Sequence, residues 1–180
     1  MLDAGLSIAY TRTTDVDISL DSRVAMANSK GAKYFVSIHN NSNAGVPATG
    51  TEVWAYSEKS EGAKLAAAVQ KALVDAIKLK DRGVKYDSTG KYVIRYTTMP
   101  AIIVECCFIN NPAEEALLKT DAILDKIARG ISQGILNYVG IPAKQPVEPA
   151  TPPEIIWNND PTVVKEVETL IARLSVLTRR

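Results

Sequence analysis

At 180 residues the chain has room for one domain and an appendage. A core of roughly 150 residues buries about 70% of the surface its unfolded chain exposes, enough to fold without staples. Twenty-one basic and twenty acidic residues leave a net charge of +1 with no block of like charge, which argues against nucleic acid or an anionic membrane as partner. No run reaches the ~20 apolar residues of a membrane span, and no basic stretch followed by an apolar one marks a signal peptide at the N-terminus.

Residues 6–12, LSIAYTR, have the β-branched and aromatic content of a strand. The stretch ISLDSRVAMANSKG predicts a helix, with Leu20, Val24 and Ala27 on one face, Ser19 as N-cap and Gly31 past its end. KYFVSIHN and GTEVWAY predict two further strands. From Ser57 to about Leu79, the spacing of Leu65, Val69, Leu73 and Ile77 predicts a long amphipathic helix. DRGVKYDSTGK is expected to be a polar loop and YVIRY a short strand. The continuous apolar run AIIVECCF predicts a central strand covered on both faces. Its adjacent Cys106 and Cys107 are expected to be buried free thiols, because neighbouring cysteines rarely satisfy disulfide geometry. Asn111 and Pro112 open a helix to Lys119, and another runs from about Asp121 to Tyr138, closed by Gly140.

Alternating strands and helices predict an α/β fold, a twisted and mostly parallel sheet flanked by helices, over residues 1–141. Five of the nine prolines fall in PAKQPVEPATPPE, so 142–159 is expected to be a semi-rigid linker. In 160–180, Val163, Val167, Leu170, Leu174 and Leu177 form an a/d seam, which predicts an amphipathic helix capable of self-association.

Two residues stand out chemically. His39, the sole histidine, ends a predicted strand, where sites gather in open α/β sheets, and a neutral imidazole there is a good zinc ligand or a satisfied structural residue. Glu105 interrupts the most apolar strand. A carboxylate there is either a general base with a raised pKa or one half of an ion pair with Arg12, Arg23, Arg82 or Arg95.

The blocks TRTTDVDISLDSRVAMANSKGAKYFVSIHNNSN, GTEVWAY, DRGVK and MPAIIVECCFINNPAEEALL resemble, in order, the zinc-dependent N-acetylmuramoyl-L-alanine amidases of bacterial cell walls and phage endolysins. The resemblance runs from about Leu2 to Ile141. It implies a hydrolase that cuts the amide between N-acetylmuramic acid and L-alanine of peptidoglycan, outside the cell, with a zinc-activated water. It also implies that His39 is a metal ligand and Glu105 the catalytic base, with Arg12, Arg23 and Asn28 mainly structural. Asn40 and the polar loop around Arg82 are expected near the site.

The family pattern opens with a strand, a Gly-His-Gly loop and a glutamate ligand that have no counterpart here, so the match is expected to be N-terminally incomplete. Two zinc ligands are then wanting, and Glu52, Cys106 and Cys107 are weak substitutes. The alternative expectation is a non-catalytic wall-associated or assembly module derived from an amidase domain.

Overall fold

A computed structural model describes residues 5–45 and 48–142. The proline-rich stretch and the C-terminal seam lie outside the described residues. The elements, in chain order, are α1 (Leu20–Ser29), β1 (Phe35–Asn41), β2 (Thr51–Ala55), α2 (Glu61–Ile77), β3 (Asp81–Tyr86), α3 (Tyr92–Tyr96), β4 (Ala101–Phe108), α4 (Pro112–Leu118) and α5 (Asp121–Val139).

The sheet has the order β1-β4-β2-β3. β1 pairs parallel with β4 and β2 parallel with β3, while β2 and β4 run antiparallel, so the sheet is mixed and mostly parallel. β4 lies inside the sheet, and all its residues but Glu105 are buried. Alternation along β4 divides the core. Ile102 and Val104 join Val53 and Ala55 beneath α2 and α5, where Leu65, Val69, Leu73, Ile127 and Ile131 complete the larger cluster. Ala101 and Ile103 join Phe35, Val24 and Ala27 of α1, and Val93 and Ile94 of α3, on the opposite face.

The caps follow the local chemistry. Ser19 accepts the Ser22 amide, and Gly31 takes a left-handed φ of 58° just past α1. Asn111 accepts the Ala113 and Glu114 amides, and Pro112 begins α4. α2 begins at Glu61, four residues after the start that its sequence suggests.

Three expectations are corrected. Residues 6–12 are not a strand: among the described residues no strand pairs with them, and a lone extended segment has no ladder to hold it. DRGVKY is the edge strand β3 rather than loop, its polar pattern suiting an edge, with Gly83 at φ 75° where the β2 register shifts. YVIRY is helix α3 despite its β-formers, because the sequence neighbours Val93 and Ile94 are both buried in one cluster. A strand would send such neighbours to opposite faces. Thr97 Oγ1 then donates to the Val93 carbonyl at 2.7 Å.

Candidate functional site

The site is a row of polar side chains across the sheet, on the face of α1 and α3. In register, His39 of β1 faces Glu105 of β4, and Glu105 faces Glu52 of β2. Arg82 of β3 extends the row, donating from Nε to Glu52 Oε2 at 2.7 Å. Strand pairing therefore brings together residues 39, 52, 82 and 105 with no need for a long loop.

Glu52 is 3% exposed and fully engaged. Besides Arg82, it accepts Asn41 Nδ2 at 2.9 Å and Trp54 Nε1 at 3.1 Å, both on Oε1. A shift of register after His39 places Asn41 for this contact. The Arg82 guanidinium also lies 4.9 Å from the Phe108 ring centroid. A charge so buried is tolerated because every oxygen has a partner.

Glu105 is the opposite case. Its Oε2 is buried and has no hydrogen-bond partner. None of the ion pairs considered for Glu105 forms: Arg82 is held by Glu52, and Arg12, Arg23 and Arg95 donate to the carbonyls of Val16, Ile18 and Thr89. Desolvation raises the Glu105 pKa, Lys91 pulls it back down and the neighbouring Glu52 pushes it up. The result is a half-buried carboxyl poised above the usual range, as proton transfer near neutrality requires.

His39 is exposed at the C-terminal end of β1, with Nε2 2.8 Å from Ser37 Oγ. Partial desolvation first, and then Arg23, Lys91 and Arg12, hold its pKa below 6.5. The ring is thus kept neutral, the form that binds metals. Arg12 and Arg23 meanwhile donate to the carbonyls of Val16 and Ile18, and Asn28 ties α1 to Tyr96 and Thr98. Asn40 is exposed beside the row. A cleft of about 390 Å³ between α2 and β3, lined by Gln70, Asp75 and Asp81 among others, contains neither His39 nor Glu105.

The residues that sequence reading left unassembled are Glu52, Asn41 and Trp54. Glu52 carried the signal, as a carboxylate flanked by strand formers in TEVWA.

The profile of a family described as N-acetylmuramoyl-L-alanine amidase matches residues 1–137. The chain belongs to that amidase family. It is 36% identical over 146 residues to an endolysin of Bacillus phage SPP1, the match covering 77% of this chain and 52% of the endolysin. Among solved structures it resembles the catalytic domain of the amidase CwlV from Paenibacillus polymyxa, with a TM-score of 0.71 and 35% identity. That match covers 77% of this chain and 75% of the other. An amidase from Clostridium difficile 630 gives a TM-score of 0.67 and 40% identity, covering 72% and 69% of the two chains. The chain spans about half the length of several sequence relatives it matches.

Membership in the amidase family implies zinc. His39 offers a neutral nitrogen and Glu105 a carboxylate without partners on Oε2, but Glu52 is saturated by three donors. Cys106 and Cys107 are buried thiols whose pKa values burial pushes to about 12 and about 11, which disfavours the thiolate a metal needs. Among the described residues no group of three His, Cys, Asp or Glu side chains can hold a metal ion, whereas a catalytic zinc takes three protein ligands. The described residues therefore supply part of a zinc site and not the whole of it. No described helix is long and apolar enough to cross a membrane.

Proposed function

We propose that this chain is a peptidoglycan hydrolase module, cleaving the amide between N-acetylmuramic acid and L-alanine, with Glu105 as its proton-transfer group and His39 as a metal ligand. The observation that carries the reading is the register His39–Glu105–Glu52: an imidazole kept neutral beside a carboxyl raised by burial. In the ionised form Glu105 takes a proton from the attacking water and returns it to the departing alanine nitrogen. The Glu52–Arg82 pair, locked by Asn41 and Trp54, holds the floor of the site rigid and gives Glu105 a like-charged neighbour. Zinc, when bound, would supply positive charge to the water and carbonyl. His39 is one of its ligands, and the remaining ligands are not found among the described residues. The module acts at the cell wall, where its substrate lies.

The test is release of new L-alanine N-termini from purified peptidoglycan with zinc added. Release by the wild-type chain is expected, with His39→Ala losing both bound zinc and release, and Glu105→Gln keeping zinc and losing release. Full activity of Glu105→Gln would overturn the assignment of the base. The incomplete donor set favours a second reading, a wall-associated module without turnover. That module would sediment with peptidoglycan and release no N-termini at any zinc concentration.

A further inference from the structure

Lys91 immediately precedes α3 and places its ammonium 4.3 Å from the centroid of the Trp54 indole. Trp54 is tied by Nε1 to Glu52, and Glu52 faces Glu105. The indole is thus a shelf, fixed from beneath by the site's own buried ion pair, that carries a cation beside the candidate base. Among the described residues no carboxylate lies within 4.0 Å of the Lys91 ammonium and no side-chain or backbone acceptor hydrogen-bonds it.

The cations around the row are unequally engaged. Glu52 is neutralised by Arg82. Arg12, Arg23 and Lys91 all act on His39; Arg12 also lies 4.0 Å from Asp15, and both arginines direct donors to backbone carbonyls and a threonine hydroxyl. Lys91 also acts on Glu105 and Asp87 but forms no ion pair with either, so its donors remain free for a ligand. Cation–π contact at an accessible position holds an ammonium by about 0.5–1 kcal/mol. A charge-assisted hydrogen bond to a carboxylate is stronger.

We propose that Lys91, held on Trp54, is the anion-binding group of this site and selects N-acetylmuramoyl peptides whose second residue carries a free carboxylate. The proposal rests on the amidase reading. Spacing supports the choice of residue. A diagonal neighbour across an antiparallel pair, as Trp54 is to Glu105, lies about 7–8 Å away. An extended peptide advances about 3.4 Å per residue, so a carboxylate on the residue after L-alanine falls about two residue lengths from the scissile amide. L-alanine itself has no charged side chain to offer.

The test is binding, measured by calorimetry on the full 180-residue chain with two synthetic fragments. Both are N-acetylmuramoyl-L-alanyl-D-glutamate with the γ-carboxyl capped as its N-methylamide; one keeps its α-carboxylate free, and the other carries a carboxamide there, so that it has no free carboxylate. The wild-type chain is expected to bind the carboxylate form about tenfold more tightly, a preference that weakens with added salt. Lys91→Met is expected to bind both forms alike, and Lys91→Arg to restore the preference. Equal binding of the two forms by the wild-type chain, a preference that survives in Lys91→Met, or binding of neither form would each overturn the proposal. None of these readouts requires turnover, so release of L-alanine N-termini decides the amidase reading separately.

Discussion

Glu52 and Glu105 face each other across β2 and β4, yet the more deeply buried of the two has all the partners. Arg82, Asn41 and Trp54 converge on Glu52, while Oε2 of Glu105 has none. The asymmetry has a consequence for stability. The folded chain holds the Glu105 proton above its ordinary value of 4.5, with desolvation as the leading cause. Above pH 4.5 the unfolded chain therefore releases a proton that the folded chain keeps. Stability falls as pH rises from there through the folded value, then levels. Glu105→Gln cannot ionise and lacks this slope. Its stability relative to wild type is expected to improve as pH rises from 4.5 to about 7.5, because only in the wild type must a half-buried carboxyl ionise. Urea unfolding of both proteins at the two pH values checks it, and an unchanged gap would show that Glu105 ionises normally. His39, with its pKa held below 6.5, loses stability as pH falls, but it does so in both proteins and cancels from the comparison.

At the scale of elements, legibility followed burial. α2, α5 and β4 are evident in sequence because Leu65, Val69 and Leu73, then Ile123, Ile127 and Ile131, repeat at helical spacing, and AIIVECCF is apolar throughout. β3 and α3 were misread because their local pattern is weak and tertiary neighbours decide their form. His39 and Glu105 were legible as oddities, one by being alone and the other by being charged in an apolar strand. The Glu52–Arg82 pair was not, because it joins residues thirty positions apart through strand order that no local pattern encodes. The packing of α2 on α5 makes a sharper demand. A Cβ on Gly134 would sit 2.4 Å from Val69 Cα, and one on Gly130 would sit 3.0 Å from Leu73 Cα. In an exposed helix Gly→Ala gains about 1 kcal/mol. Here the added methyl meets backbone that cannot swing aside, and overpacking costs about 1–3 kcal/mol. Gly134→Ala is therefore expected to lower the melting temperature despite better helix propensity. Ala128, on the same helix and outside the core cluster, can be changed to Gly as a control and should show the ordinary propensity loss.

Across the described domain, the sheet is a partition between two apolar clusters, and the polar row lies on one side of it only. Glu114, 2% exposed, ties distant segments together by accepting the Gly50 amide at 2.8 Å and the Phe108 amide at 2.6 Å. This bond set joins the start of β2 to the end of β4, next to Cys106 and Cys107. The two thiols therefore report on the whole fold rather than on local fraying. Both are buried, at 2% and 0% exposure, and burial is the leading cause that pushes their pKa values to about 12 and about 11. Alkylation needs both access and thiolate, and the native state denies each. An unfolded cysteine has an ordinary pKa of about 8.5 and is substantially ionised at pH 8. Labelling by iodoacetamide at pH 8 is thus expected to be negligible in buffer. Both thiols should become reactive together across the same denaturant range in which circular dichroism reports loss of helix, because β4 cannot expose either without leaving the centre of the sheet. Mass spectrometry of the labelled chain would resolve species carrying none, one or two labels. A dominant singly labelled species in native buffer would mean that one end of β4 opens locally while the rest of the larger cluster, to which both thiols belong, stays closed.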